Sequence, residues 1–320
     1  MHTSAVTLEH IKAAHERIRP FIHRTPVLTC TRVNAAATAQ LFFKCENFQK
    51  VGAFKARGAH NAILGLNDAE AERGVVTHSS GNHAAAVALA ARVRGARATI
   101  IMPSNAPKIK KAAVAEYGGQ IIECEPTVAA RESTTAAFIA KTGAVLIHPY
   151  DDDRIVAGQG TAAVELLDQV ADLDYLLTPV GGGGILSGSA IAARALRPSL
   201  KVIGTEPALA DDAMRSFKSG ERVLLQSTTT IADGLRISLG ERNFTYIRAN
   251  VDDIVTVSEE GIIAAMRLIW ESMKIIVEPS GVVPLAALLE NKLPAAAGRR
   301  VGIILTGGNV DLDALPWMKK

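Results

Sequence analysis

Aromatic residues are scarce: Phe, Trp and Tyr make up 4% of the 320 residues. Proteins that grip single-stranded nucleic acid stack bases on exposed rings, so this shortage argues against that class. An excess of one charge is missing as well. Lys and Arg number 35 and Asp and Glu 32, a net charge of +3, too small to steer the chain to DNA or an anionic membrane. The one dense basic cluster, Lys108, Lys110 and Lys111, reads as a solvated helix face. Only three cysteines occur, Cys30, Cys45 and Cys124. They are far apart, with no CxxC pair and no Cys/His metal spacing, so neither a disulfide framework nor a zinc site is expected. Long hydrophobic runs are lacking: the Ala-rich stretch near residue 90 is broken by Arg92, Arg94 and Arg97, and it cannot span a bilayer. The first twenty residues carry His, Glu, Lys and Arg where a signal peptide needs an apolar run. The expectation is a cytoplasmic protein with no membrane and no nucleic-acid partner.

What is abundant is Ala, Val, Ile and Leu, within an apolar fraction of 48%. A first helix is predicted over Leu8–Ile18. Short β-rich runs then alternate with Ala-rich helical stretches: "QLFFKC", "GVVTHSS", "ATIIMP", "QIIEC" and "AVLIHP" read as strands. "DYLLTP", "KVIGTEP" and "RVGIIL" repeat the rhythm after "HPYDDDR". Such alternation predicts an α/β fold of two domains, each an open, twisted, mostly parallel sheet flanked by helices. The division is drawn at residues 1–72 with 152–320 for the large domain, and 73–151 for the small one. A helix is expected to begin near Ala53. Another is expected after Ser104 or Asn105, with Pro107 in its first turn, and a third over "RESTTAAFIAKTG". Ser258 is expected to cap "SEEGIIAAMRLIWESMK".

Ligands of open α/β sheets collect where strands end and helices begin, and the glycine-rich turns fall there. "PVGGGG" sets Gly181, Gly182, Gly183 and Gly184 between a strand and a helix. Consecutive backbone N–H groups and a helix start suit a phosphate. A tight turn alone needs one or two glycines, not four. A nicotinamide oxidoreductase is the alternative, with Glu206 at the end of the next strand, but G-x-G-x-x-G fails at Leu186 or Ser187. "HSSGNH" offers Ser79, Ser80, Gly81, Asn82 and His83 at a second helix start, where a small carboxylate could be held. Ordinary capping would account for it if it stood alone. Two anion-holding turns and a lysine in apolar company, Lys55 in "GAFKARGA", suggest pyridoxal phosphate with an amino acid substrate.

"GAFKARGA", "SSGNHAAAVA", "PVGGGG", "EPSGVVPLAAL" and "LTGGNVDL" together resemble the fold type II pyridoxal-phosphate enzymes of the serine/threonine dehydratase and serine racemase family. The nearest subgroup is that of the 3-hydroxyaspartate dehydratases and serine racemases. The resemblance runs from about Ile18 to the C-terminus. It implies that the cofactor lies in the cleft between the domains, held by Lys55 as an imine with Phe54 against its ring. It also implies Asn82 on the ring hydroxyl, Gly181, Gly182, Gly183 and Gly184 around the phosphate, and Thr306 at the ring nitrogen. Ser79, Ser80, Gly81 and His83 would line the substrate carboxylate. A threonine hydroxyl does not keep the ring nitrogen protonated, which favours prompt β-elimination over a long-lived carbanion. The expected reaction is α,β-elimination of water from 3-hydroxyaspartate, serine or threonine, giving a 2-oxo acid and ammonia. Lys55 would act as base on one face. Ser80 stands where related racemases place the opposite acid/base, so amino acid racemisation is the alternative.

The resemblance further implies a divalent cation, Mg²⁺ with Ca²⁺ or Mn²⁺ as alternatives, on Glu206, the Ala210 carbonyl and Asp212. Spacing alone favours two solvated acids there. Arg131 is either a solvated arginine or the reader of a second substrate carboxylate, which gives 3-hydroxyaspartate a slight edge. Tyr150 in "HPYDDDR" stands where serine racemases have Asn and looks more like the dehydratases. A homodimer is expected, without an isoleucine-responsive regulatory domain.

Overall fold

Strands with buried, near-continuous apolar runs can sit in parallel sheets covered on both faces. "RVGIIL" and "KVIGTEP" are runs of this kind, buried from their second residue onward. The computed structural model describes residues 5–106 and 108–318. Its strands are β1 (Val27–Leu28), β2 (Gln40–Cys45), β3 (Val75–His78), β4 (Ala98–Pro103), β5 (Gln120–Cys124), β6 (Val145–Leu146), β7 (Tyr175–Pro179), β8 (Lys201–Pro207), β9 (Asp253–Val257) and β10 (Arg300–Leu305). The helices are α1 (Leu8–Ile18), α2 (Thr31–Ala37), α3 (Lys55–Leu64), α4 (Asp68–Arg73), α5 (Asn82–Arg94), α6 (Lys108–Glu116) and α7 (Val128–Thr142). They continue with α8 (Asp153–Gln169), α9 (Gly184–Leu196), α10 (Asp212–Ser219), α11 (Glu241–Asn250), α12 (Glu259–Met273) and α13 (Pro279–Leu289).

Two sheets result, as the sequence rhythm predicted. One has the order β1-β2-β10-β7-β8-β9, parallel except for β1 against β2. The other has the order β5-β4-β3-β6 and is parallel throughout. The smaller sheet is an insertion, because β1 and β2 precede it and β7 to β10 follow it.

Caps set several helix boundaries. Ser258 accepts the Gly261 N–H at 2.9 Å and starts α12 where expected. α7 begins at Val128, ahead of the expected start, because the Thr127 hydroxyl accepts the Ala130 N–H at 3.1 Å. α3 begins at Lys55 rather than near Ala53, since Lys50–Gly52 forms a short 3-10 turn with Val51 at φ +55°. α6 is described from Lys108; Pro107 lies outside the described residues. β6 pairs only over Val145–Leu146, shorter than the expected "AVLIHP". The basic cluster is more than a solvated face: Lys110 pairs with Asp233 at 2.7 Å, and Lys111 reaches Glu123 and the Ser104 carbonyl.

Glycine lets three helices approach closely. A Cβ at Gly58 on α3 would lie 2.5 Å from Gln159 Nε2 on α8, and one at Gly158 would lie 2.6 Å from the Gly58 Cα. On the other side of α8, a Cβ at Gly160 would lie 2.8 Å from the Gly188 carbonyl of α9. These contacts fix the start of α3, which carries Lys55, against α8. No described helix is long and apolar enough to cross a membrane.

Candidate functional site

Five turns at the carboxyl ends of parallel strands converge between the sheets. They follow β2, β3, β6, β7 and β10. The turn after β2 carries Lys55 in the first turn of α3. Its backbone is stapled to the turn after β10: Phe54 N donates to Thr306 O at 2.9 Å, Gly308 N donates to Gly52 O at 3.0 Å, and Ala53 bridges Gly307. The Lys55 amine donates to the Pro149 carbonyl at 2.7 Å and lies 5.1 Å from the centre of the Phe54 ring. Burial lowers its pKa to about 8, opposed only in part by the Glu278 carboxylate. The side chain nonetheless keeps part of its surface open, so the amine is desolvated yet reachable.

The four glycines occupy the β7–α9 turn, all buried. Gly183 has φ +92°, and a Cβ there would lie 2.7 Å from Leu239 Cδ1. A Cβ on Gly181 would lie 3.0 Å from the Leu235 Cα, and one on Gly182 would lie 2.2 Å from Tyr150 Cγ. Asn243 holds the turn by donating to Gly182 O at 2.8 Å and Tyr150 O at 3.0 Å. Gly182 and Gly183 admit no side chain without displacing their neighbours, and the cradle begins a thirteen-residue helix, an arrangement suited to a phosphate.

The turn after β3 carries Ser79, Ser80 and Gly81, all partly open, into α5. Gly81 N donates to Ser79 Oγ at 3.3 Å. Asn82 donates to both oxygens of Glu278 at 3.1 Å and accepts from Asn309 Nδ2 at 3.0 Å. His83, expected at the carboxylate, keeps its backbone N–H in the first turn of α5 and turns its ring inward: it is 2% exposed, and Nε2 meets the Ile147 carbonyl at 3.1 Å. A carbonyl only accepts, so Nε2 carries the proton. Nδ1 is then bare and finds no partner among the described residues. Burial and the Lys55 charge push this ring well below the usual histidine range.

Arg131 lies on α7, half-buried. Its charge adds to burial in lowering His78 and opposes the rise that burial causes at the Tyr150 hydroxyl. His148 in that turn accepts the Asp151 N–H at 2.9 Å through Nδ1, so Nε2 is its donor. Burial and neighbouring His78 lower it to about 4, and its ring stacks edge-on between His78 and Tyr150. Thr306 is 2% exposed at the end of β10.

Glu206 and Asp212 are both buried. Glu206 accepts Ala213 N at 3.1 Å and Met214 N at 2.9 Å, and Asp212 Oδ2 accepts Leu239 N at 2.8 Å. Asp212 Oδ1 has no partner among the described residues. Burial first, and Asp212 next, push Glu206 well above the usual carboxylate range. An orphaned oxygen beside a second strained acid fits a hard cation completed by backbone carbonyls and waters. Side chains alone would not suffice, for no group of three His, Cys, Asp or Glu with metal geometry occurs among the described residues.

Sequence reasoning assigned no role to Glu278, His148 or Asn309. "EPSG" and "LTGGN" were legible as motifs, but their partnership across the cleft has no signature in spacing. Glu278 is 4% exposed, and burial with nearby Asp233 raises it to about 7.

Comparison with known proteins narrows the chemistry. A model of the pyridoxal-phosphate dependent enzymes matches residues 18–307. A β-hydroxyaspartate dehydratase from Paracoccus denitrificans is 51% identical over 311 residues, 97% of this chain and 98% of that one. A serine racemase from Arabidopsis thaliana is 50% identical, covering 97% and 95%. The crystal structure of serine racemase from Dictyostelium discoideum superposes with a TM-score of 0.92 at 49% identity, covering 96% of this chain and 99% of that one.

Proposed function

We infer the reaction from one premise: the chain belongs to the pyridoxal-phosphate dependent enzymes. We propose that it is a dehydratase, an ammonia-lyase that eliminates water from β-hydroxy α-amino acids to give a 2-oxo acid and ammonia. 3-Hydroxyaspartate is the foremost substrate, with serine and threonine behind it. The observation that carries this reading is the Lys55 amine, desolvated, oriented by Pro149 O at 2.7 Å and lowered to about 8. At pH 7 roughly a tenth of such an amine is unprotonated, enough to serve as nucleophile and base.

In this reading Lys55 holds the cofactor and Phe54 lies against its ring. Asn82 faces the ring hydroxyl, Thr306 the ring nitrogen, and Gly181, Gly182, Gly183 and Gly184 the phosphate. Bound pyridoxal phosphate supplies an electron-withdrawing ring conjugated to the substrate nitrogen. Ser79, Ser80, Gly81 and His83, the last through its backbone N–H, line the substrate carboxylate, while the His83 ring supports the turn from behind. Freed when the substrate amine takes its place, the Lys55 amine takes the Cα proton; the Cβ–O bond breaks, a Cα=Cβ bond forms, and the departing hydroxyl takes a proton back from the Lys55 ammonium to leave as water. The enamine then hydrolyses to the oxo acid and ammonia. Arg131 reads the second carboxylate of 3-hydroxyaspartate. Ser80, in the partly open turn after β3, supports a second reading, racemisation by reprotonation from the opposite face.

The same reading assigns residues 1–72 and 152–320 to the cofactor domain and 73–151 to the substrate domain. It adds a divalent cation on Glu206, the Ala210 carbonyl and Asp212, a homodimer, and a cytoplasmic setting. The test is a keto-acid and ammonia assay across 3-hydroxyaspartate isomers, serine and threonine. Lys55→Ala should abolish release. Arg131→Ala should lower turnover of 3-hydroxyaspartate relative to serine by tenfold or more. Unchanged selectivity in Arg131→Ala removes the second-carboxylate assignment, and release by Lys55→Ala removes the whole reading.

A further inference from the structure

Behind Lys55 lies a buried cluster of four charges that the reaction does not use. Arg57, 0% exposed, makes five hydrogen bonds through its guanidinium. Nε reaches Glu46 Oε2 at 2.7 Å, and Nη2 reaches Glu46 Oε1 and Glu165 Oε2, each at 2.8 Å. Nη1 reaches Glu165 Oε1 at 2.9 Å and Thr161 Oγ1 at 3.2 Å. Lys44 closes the set, donating to Glu165 at 2.6 Å, Thr25 O at 2.7 Å and Gln169 at 2.8 Å. Two cations face two anions, so the cluster is neutral overall, and Glu165 is held down to about 2 by its partners.

Burying four charges is a poor route to stability, since apolar residues of similar volume do as well or better. Position is the better account. Glu46 follows the end of β2, Arg57 stands two residues past Lys55, and Glu165 lies on α8. The Arg57–Glu46 fork therefore closes the loop 46–57 at its two ends. Within that loop Val51 sits at φ +55°, a left-handed backbone that a β-branched residue adopts only when its surroundings enforce it. The far side of the loop is tied by Asn309 Nδ2 to Val51 O at 2.8 Å and by Phe54 N to Thr306 O. A planar bidentate fork specifies position in a way that a lysine point charge cannot.

We propose that Arg57 is a positioning residue for the reaction, its forks to Glu46 and Glu165 holding the strained loop closed so that the Lys55 amine meets the glycine turn. This rests on Lys55 being the reactive amine. The test compares Arg57→Lys, Glu46→Gln and, as a control of comparable instability, Ile269→Ala in the core of α12. Two rates are read, each at the same interval below the protein's own melting point. One is capture of pyridoxal phosphate by the cofactor-free chain, followed by absorbance. The other is labelling of Lys55 by an amine-reactive reagent, relative to exposed Lys218, mapped by peptide mass spectrometry. Both cluster variants should change the labelling ratio and slow capture by tenfold or more, with the control within twofold of the parent. Rates within twofold in both cluster variants overturn the proposal, as does an equal loss in Ile269→Ala. Failure of both cluster variants to fold also overturns it, because the cluster then holds the fold rather than the lysine. If the parent captures no pyridoxal phosphate while Arg57→Lys still changes the labelling tenfold, the positioning stands and the cofactor reading falls.

Discussion

Asn82 donates to both carboxylate oxygens of Glu278 at 3.1 Å, tying the first turn of α5, beside the four-stranded sheet, to the residue that opens α13. Glu278 is 4% exposed and raised to about 7, by burial and then by Asp233. A carboxyl whose folded pKa is raised binds a proton more tightly folded than unfolded. Its contribution to stability is complete below about 4.5 and is lost as pH rises through 7.

Glu278→Gln should therefore stabilise the cofactor-free protein above pH 7, by roughly 1–3 kcal/mol given a shift of this size. The advantage should vanish below pH 4.5. Urea midpoints across pH measure it. A variant less stable than the parent at pH 8 would show that the charged form is the favoured one.

Lys55 titrates with the opposite sense. Its folded pKa is lowered from 10.5 to about 8, so the unfolded chain binds the extra proton between those values. The contribution is present above pH 10.5 and is lost as pH falls through 8. Lys55→Met should raise the melting point of the cofactor-free chain at pH 7, and the gain should shrink steadily towards pH 10.5. A parent that is the more stable at pH 7 contradicts the desolvated amine.

The glycine turn allows a sharper experiment, because its neighbour can be removed. The methyl of Gly182→Ala would lie 2.2 Å from Tyr150 Cγ, and overpacking of this kind costs about 1–3 kcal/mol. Tyr150→Ala should recover most of that loss in a double-mutant cycle. Gly183→Ala should not be rescued by it, since φ +92° and Leu239 oppose the methyl there. Equal costs for Gly182→Ala in both Tyr150 backgrounds would place the strain elsewhere.

The fold was legible in the sequence to the extent that its strands are self-declaring. β2 is a compact aromatic run, and β3, β4, β5, β7, β8 and β10 are compact apolar runs that contain or adjoin glycine or proline. β1 has two residues, too few for any periodicity. α8, between "HPYDDDR" and β7, went unassigned as well, though glycine at 158 and 160 is what lets it touch α3 and α9. Among candidate site residues, those in glycine-rich turns announce themselves through composition. His83 shares that composition yet points into the core, because its Nε2 proton has the Ile147 carbonyl to meet. Glu165 and Glu278 act through partners more than a hundred residues away, at Arg57 and Asn82, and spacing along the chain carries no trace of such pairs.

Glu206 and Asp212 bear on the last prediction. Both carboxyls are raised by burial, Glu206 further raised by Asp212. In the cation-free chain each is a liability that grows as pH rises past the usual carboxylate range. A cation binds the ionised pair and must displace whatever protons the site holds, so its affinity should climb with pH. Adding Mg²⁺ or Ca²⁺ should raise the melting point, more at pH 8 than at pH 6. At a hundred times the dissociation constant the gain is about 2.7 kcal/mol. Glu206→Gln and Asp212→Asn should each abolish the response; Asp212→Asn should also stabilise the ion-free protein by removing a charge the fold holds at a cost, whereas the amide of Glu206→Gln would face one of the two backbone N–H groups that the carboxylate accepts. Melting points indifferent to both metals at pH 8, or variants that respond as the parent does, would leave the orphaned Asp212 oxygen with no cation to explain it.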